Sequence, residues 1–176
     1  MRQRGFSLIE LMIGLALAVI LILLAAPNYA IWTADAQIRN GVESVASGLR
    51  FAHAEAIKRN SPVEFILDPT TATGGWQVNV VGVGVVQTAS FAEAATRVAY
   101  TVTPGGATTV TFTGLGAIAA ANADASVPMT VIAATHVGTV SDTRPLTVLV
   151  GGGRSGIKIC DPAITDTTSP RYCTAA

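Results

Sequence analysis

The sequence predicts an α+β domain in which one long N-terminal α-helix packs against an antiparallel β-sheet. Three observations predict it: an apolar N-terminal run, an amphipathic stripe that continues this run, and short β-branched segments separated by turn residues after Asn60. At 176 residues the chain suffices for one domain with a sizeable core, since domains usually hold about 100–150 residues.

The composition restricts the classes of function. Charged residues make up 12% of the chain and hydrophobic residues 50%, whereas about 25% charged residues is ordinary for a soluble domain. Part of the chain is therefore not solvated surface. The formal net charge of +0 does not indicate a nucleic-acid binder overall, so any such activity must be local.

The N-terminal segment predicts a membrane-spanning helix. Arg2 and Arg4 precede an apolar run from Phe6 to Ala26 in which Glu10 is the only charge. The run matches the roughly 20 residues that a helix needs to cross the hydrocarbon core of a bilayer. By the positive-inside rule, the basic residues before the run place the N-terminus in the cytoplasm and everything after Asn28 on the exported side.

Three interpretations of this run compete. A removable secretory signal has a shorter apolar stretch of about 7–15 residues and a small-residue cleavage site, to which Leu24-Ala25-Ala26 is a poor match. A plain single-pass anchor accounts for the length but not for Glu10, since a carboxylate inside the membrane costs about 2.5–3.5 kcal/mol. The carboxylate calls for a partner, which the third interpretation provides.

The string Gly5-Phe6-Ser7-Leu8-Ile9-Glu10-Leu11, behind a basic leader, resembles the class III signal of type IV pilins and pseudopilins. The resemblance implies that a prepilin peptidase cuts after Gly5, which makes residues 1–5 a leader peptide, and methylates Phe6 at the new N-terminus. It also implies that Glu10 pairs with the N-terminal amine of a neighbouring subunit during filament assembly. Two opposite charges that leave water offset each other only where they meet, which agrees with this role.

The helix is predicted to continue as far as Asn60. Residues 6–28 form a transmembrane and assembly part, in which Gly14 and Pro27 are the positions where the axis can bend. Residues 29–60 form an amphipathic part that packs on the sheet and ends at Asn60-Ser61-Pro62. Its apolar residues recur at intervals of three and four: Ile38, Val42, Val45, Leu49, Ala52 and Ala56.

Residues 61–176 are predicted to form a β-rich domain with about seven short strands. Residues 115–127 have no assignment. Turns are predicted at Asp68-Pro69, Gly74-Gly75, Gly82-Val83-Gly84, Pro104-Gly105-Gly106 and Gly151-Gly152-Gly153. The predicted strands are Val63–Leu67, Trp76–Val80, Val98–Val102, Thr109–Phe112, Met129–Ile132, Leu146–Leu149 and Ile157–Cys160.

The order of one helix, then strands, then a C-terminus with two cysteines resembles the minor pilins of the FimT and FimU kind. These share the GspH-type domain of type II secretion pseudopilins, and the resemblance implies the type IV pilin fold. Such pilins commonly carry a C-terminal disulfide, here between Cys160 and Cys173. An exported compartment permits oxidation, and closing a loop of this size contributes about 3 kcal/mol in the chain-entropy model. The alternative is two free thiols.

The sequence indicates no catalytic constellation, metal site or cofactor. His53 and His136 are the only histidines, and HExxH and CxxC motifs are absent. Gly153-Arg154-Ser155-Gly156 lacks the spacing of a nucleophile elbow, and the stretch from Gly151 to Lys158 does not match a phosphate loop. An enzyme is therefore not expected.

The C-terminal region is locally basic. FimT-type pilins involved in DNA uptake are known for a glycine-arginine-x-arginine motif near this place, and here Gly156 stands where the second arginine would be. If Arg154, Lys158 and Arg171 meet on the folded protein, they can contact the backbone of double-stranded DNA in a salt-sensitive manner. The alternative is a solvated edge strand with scattered cations.

These features favour a minor pilin, a structural subunit that helps initiate assembly of a type IV pilus at its tip. The expected partners are other major and minor pilins, the prepilin peptidase and the inner membrane. Before assembly the subunit is expected to span the inner membrane with its globular domain in the periplasm, and afterwards to belong to the extracellular pilus. One alternative is a DNA-binding minor pilin for natural transformation, and a second is a GspH-like minor pseudopilin of type II secretion.

Overall fold

The computed structural model describes residues 7–93, 95–151 and 156–173. Within these ranges the chain forms one long helix followed by eight strands. In chain order they are α1 (Leu8–Arg59), β1 (Val63–Asp68), β2 (Gly75–Val80), β3 (Gly84–Ser90), β4 (Val98–Thr103), β5 (Thr109–Phe112), β6 (Val131–His136), β7 (Leu146–Val150) and β8 (Ile157–Cys160). The α+β class predicted from the sequence is confirmed.

Helix α1 ends where the sequence predicts. Asn60 takes up the left-handed conformation with φ 48°, and its N–H donates to the carbonyls of Ala56 and Ile57. Asparagine tolerates this conformation better than most residues. Pro62 then disfavours helix at Ser61, so the chain turns into β1.

The axis of α1 bends between its two halves. Leu8–Leu24 and Asn28–Arg59 differ in direction by 42°, and Pro27 lies in the break. Proline has no N–H to donate to the helix ladder, which accounts for a bend at this place. No single helix of the described residues has both the length and the apolar character of a membrane span, but the two halves meet that description together as a bent pair.

The strands form two four-stranded antiparallel sheets instead of the single sheet that the sequence predicted. The first has the order β3-β2-β1-β5 and the second the order β4-β6-β7-β8. The chain crosses to the second sheet at β4, returns for β5, and crosses again at β6. Strands of both sheets contact α1, so the helix stripe is covered from two sides.

Strand β3 was not predicted. The glycines Gly82 and Gly84 were interpreted as a turn, and the turn is present, but Gly84 also begins this edge strand. Most of its residues are exposed, and the register with β2 shifts between Val78 and Asn79. An exposed strand that contains a bulge lacks the clean apolar–polar alternation by which strands are recognised.

Strand β6 begins later than predicted, at Val131 rather than Met129. The backbone N–H of Met129 donates to Thr109 of β5 at 3.0 Å, so this residue belongs to the first sheet's edge and not to β6. Pro128 before it has no N–H to donate to a ladder.

The unassigned residues 115–127 form turns that cover the outer edge of β5. Asn122 holds them in place: its amide nitrogen donates to the Thr109 carbonyl at 3.1 Å and to Ser126 Oγ at 2.9 Å, and its oxygen accepts from Thr111 Oγ1 at 3.0 Å. A covered edge is protected from pairing with another chain.

The predicted helix stripe forms the centre of the core. All its residues are at most 1% exposed: Ile38, Val42, Val45, Leu49, Ala52 and Ala56. They pack against the inward-facing side chains of both sheets, of which the largest fully buried ones are Phe65, Phe112, Ile132 and Leu67.

Candidate assembly and binding surfaces

Glu10 lies in the first turn of α1, where its carboxylate faces the positive end of the helix dipole. Within the described residues it forms no ion pair and no hydrogen bond, because the ion pairs found there both belong to Glu55. It borders a shallow depression of about 430 Å³ on the helix surface, lined also by Leu11, Gly14, Leu15 and Ala18. The small residues Gly14 and Ala18 leave the carboxylate open to a neighbour.

The apolar side chains around Glu10 are not covered by this chain. The large ones between Leu8 and Leu24 are 49% to 77% exposed. Monomeric soluble proteins rarely expose apolar surface over such a length, and larger patches mark interfaces with proteins or membranes. The first half of α1 is therefore a surface for another apolar partner.

The globular domain begins to cover α1 at Ala34, which is 2% exposed. Next to it, Asp35 Oδ1 accepts a hydrogen bond of 2.8 Å from the backbone N–H of Arg144. Sequence reasoning missed this contact because it joins residues far apart in the chain. It ties the loop before β7 to the helix at the lower boundary of the domain.

An aromatic pair lies just before this boundary. The rings of Tyr29 and Trp32 have centroids 5.9 Å apart and planes tilted by 37°, and the two residues are 66% and 65% exposed. Sequence reasoning did not single them out, although two aromatic residues three positions apart, directly after an apolar run, were a visible signal.

The C-terminal loop is closed by a disulfide between Cys160 and Cys173, as the resemblance implied. Beside it, the backbone N–H of Asp161 donates to the Arg171 carbonyl at 2.9 Å, and Asp161 forms a β-bridge with Tyr172. These contacts bring Arg171 next to the end of β8, the strand that contains Lys158.

Of the basic residues predicted for this region, Arg171 has its backbone close to the strand that contains Lys158. Arg171 is exposed and Lys158 half-buried, whereas Arg154 lies outside the described residues. The same loop carries Asp166, whose pKa is lowered because its carboxylate accepts hydrogen bonds from the Thr168 hydroxyl and backbone N–H. A carboxylate held in its charged form in the same loop as Arg171 lowers the net positive charge available to attract phosphate.

The two histidines do not form a site. His53 is half-buried and packs edge-to-face on Phe112, with ring centroids 5.6 Å apart and planes at 80°. In the parts of the chain that the structure describes, no group of three or more histidine, cysteine or acidic residues is placed to hold a metal ion.

Two sequence profiles match the chain. One, described as the prokaryotic N-terminal methylation motif, matches residues 1–26 and so covers Gly5, Phe6 and Glu10. The other, described as type II transport protein GspH, matches residues 41–153, which is more than half of the chain. The chain belongs to the GspH family. The resemblance to minor pilins of the FimT and FimU kind, which share this domain, is confirmed.

This GspH-family pilin is also similar to a solved structure. It is the crystal structure of the type IV minor pilin FimU from Pseudomonas aeruginosa strain PAO1, with a TM-score of 0.48 and 14% sequence identity over 72% of this chain and 92% of that chain. No curated protein matches the sequence.

The family and the fold of this GspH-family pilin are those of structural subunits and not of enzymes. The methylation motif implies an N-terminal pilin anchor that lies in the membrane before assembly. Interaction with other pilins and with the assembly machinery follows from membership of the pilin family. Gly5 and Phe6, the predicted cleavage and methylation residues, lie outside the described residues.

Proposed function

We propose that this chain is a minor pilin that helps initiate assembly of a type IV pilus and occupies its tip. The observation that carries the proposal is the contrast between the two halves of α1. The half from Leu8 to Leu24 is exposed and apolar around Glu10, which forms no ion pair within the described residues, whereas the stripe from Ile38 to Ala56 is buried in the core of the domain. The C-terminal half of such a helix is packed inside the globular domain, and its N-terminal half is an apolar surface on which other subunits can pack.

Glu10 is the group that selects the neighbour. A carboxylate among leucines and isoleucines has no water to solvate it once the helix is packed, so it needs a cation that arrives with the partner helix. The α-amine of Phe6, which cleavage after Gly5 would create, is such a cation at the end of an equivalent helix. Pairing of the two groups sets the axial register between subunits.

The test replaces Glu10 by glutamine, with Glu43→Gln as the matched control. Glu43 is exposed on α1 beyond the apolar half, so its replacement removes an equal charge without touching the packing surface. We expect Glu10→Gln to be processed normally but lost from sheared filaments, while Glu43→Gln enters them. Equal amounts of both variants in the filament fraction would contradict the role of Glu10.

Cleavage is tested separately. Gly5→Leu is expected to block the peptidase, so that residues 1–5 remain attached and no methylated Phe6 appears in the mass spectrum of the purified subunit. Normal cleavage of this variant would contradict the class III signal.

The position at the tip is checked with a gold-labelled antibody against the globular domain. Label along the whole shaft of the pilus would contradict occupancy of the tip.

DNA uptake is a second candidate function, favoured by the placement of Arg171 beside the strand that carries Lys158. The full chain in detergent micelles should then bind double-stranded DNA with an affinity that falls as salt rises. Arg154→Ala, Lys158→Ala and Arg171→Ala should each weaken binding, while Arg50→Ala, at an exposed position on α1, should not. Absence of binding at low salt would exclude this function.

A role as a minor pseudopilin of type II secretion is the third candidate, because the matching profile is described as a type II transport protein. The N-terminal chemistry is common to both machines, so the discriminating measurement is a deletion. Loss of surface pili with intact secretion supports the pilus, and loss of secretion with intact pili supports the pseudopilin.

A further inference from the structure

We propose that Tyr29 and Trp32 form an interfacial anchor that lies in the phospholipid headgroup layer while the subunit is held in the membrane. The inference rests on the membrane-stored stage of the proposed function. Among the described residues neither side chain has a hydrogen-bond partner. The ring centroids are 5.9 Å apart, and about two thirds of each residue is exposed. Rings of this kind have an apolar body and one polar group at the edge.

The position along the helix fits the headgroup layer. This layer is about 5–8 Å thick on each side of a hydrocarbon core of about 30 Å. If the apolar run ends at the core boundary with Ala26, Tyr29 and Trp32 follow by three and six residues, or about 4.5 Å and 9 Å along the helix axis. The 42° bend of α1 reduces these heights to about 3 Å and 7 Å above the core when the first half stands upright.

The charges agree with this depth. The sequence has no charged residue from Leu11 to Ala34, so nothing resists burial of the apolar run up to the aromatic pair. Asp35 is the next charge, about 10 Å above the core in the same geometry, and its carboxylate is engaged by the Arg144 backbone. The globular domain therefore starts in water just above the headgroups.

The domain itself cannot cover the pair. Ala34 points into the domain and is 2% exposed. At about 100° per residue, Trp32 and Tyr29 lie about 160° and 140° around the helix from Ala34, on the opposite face. A face turned away from the domain, at the end of an apolar span, meets lipid headgroups when no other pilin is present. Tryptophan and tyrosine are the residues enriched at that depth in membrane proteins.

The experiment places the full chain in phosphatidylethanolamine–phosphatidylglycerol vesicles and measures tryptophan fluorescence. Trp76→Phe leaves Trp32 as the only indole, and Trp32→Phe leaves the buried Trp76, which serves as the matched control. We expect the Trp32 emission to shift to the blue and to be quenched most by lipids brominated close to the glycerol, less by lipids brominated at the chain end. Trp76 should be quenched by neither lipid.

Two results would overturn the inference: Trp32 emission that is quenched by aqueous acrylamide as strongly as in free tryptophan, or strongest quenching by bromine at the chain end. Flotation of the vesicles distinguishes failure of this inference from failure of the membrane stage, because a chain that does not float with the vesicles is not inserted in the membrane at all. If Trp76→Phe does not fold, the wild-type signal minus that of Trp32→Phe gives the Trp32 contribution.

Discussion

Trp76 Nε1 donates a hydrogen bond of 3.0 Å to Ser44 Oγ, which joins β2 to the middle of α1. The indole is 8% exposed and stacks on Phe65 of β1, with ring centroids 5.8 Å apart. Both rings lie over Gly48, one turn further along α1. Two rings of the first sheet therefore pack directly on the helix at a glycine, and the hydrogen bond fixes the indole above it.

Gly48→Ala should destabilise the domain. A Cβ at this position would lie 2.7 Å from Phe65 Cε2 and 2.8 Å from Trp76 Cδ2, and both rings are confined by the core. Overpacking of this kind lowers the free energy of unfolding by about 1–3 kcal/mol. Gly105→Ala is the control, because a Cβ there meets nothing within 4 Å. Urea denaturation followed by tryptophan fluorescence measures both, and equal midpoints would contradict the close approach.

Gly41→Ala should be rescued by Tyr100→Phe. A Cβ at Gly41 would overlap the Tyr100 hydroxyl, and that hydroxyl is buried without a hydrogen-bond partner among the described residues. Burial also raises the pKa of Tyr100. Removing the hydroxyl creates space and removes an unsatisfied polar group, so Tyr100→Phe alone should change stability little or increase it. A double-mutant cycle by urea denaturation should show a smaller loss from Gly41→Ala in the phenylalanine background, and strict additivity would count against the contact.

The sequence predicted the helix and its stripe well because periodicity reports burial directly. Ile38 and Leu49 are fully buried as the spacing of three and four required. Gly41 and Gly48 carried no such signal, since their role depends on which ring lies opposite, and that is decided by pairing between residues far apart. The split into two sheets was missed for the same reason: local patterns identify strands but not their partners.

The candidate sites also differ in how far the sequence alone could predict them. Glu10 was visible as a lone charge in an apolar run, and the structure adds that nothing within the described chain neutralises it. The approach of Arg171 to β8 was less predictable, because it depends on the fold of the loop. Asp35 binding the Arg144 backbone had no sequence signal at all, since any residue supplies a backbone N–H.

Glu55 should make the free energy of unfolding of the domain fall at acidic pH. Its carboxylate accepts from Arg59 Nε at 2.6 Å and Lys58 Nζ at 2.9 Å, and these hydrogen bonds hold its pKa below the usual value of 4.5. A lowered folded-state pKa means that the stabilisation is present above the unfolded-state pKa and is lost as the pH falls through the folded-state pKa.

The measurement is the free energy of unfolding from about pH 6 to about pH 3 for the wild type and Glu55→Gln. The wild type should lose more stability over this range than the variant, because glutamine does not titrate. Glu43→Gln, which removes an exposed carboxylate from the same helix, should keep the wild-type slope. Parallel curves for the wild type and Glu55→Gln would contradict the ion-pair contribution.

The disulfide should stabilise the second sheet from its outer side. In the β7–β8 register Cys160 lies opposite Thr147 and Lys158 opposite Leu149, so these side chains share the face turned away from the helix. Thr147 is 7% and Leu149 4% exposed, which requires a cover on that face. We expect the loop after β8, tied back by the bond to Cys173, to provide this cover.

Replacing both cysteines by serine should therefore lower the free energy of unfolding by about 3 kcal/mol through loss of the cross-link in the unfolded chain. It should also speed amide hydrogen exchange in β7, because the cover is released, while exchange in β1 of the other sheet stays slow. A reducing agent should reproduce both effects in the wild type and leave the double variant unchanged. Unaltered exchange in β7 after reduction would show that the loop does not protect that face.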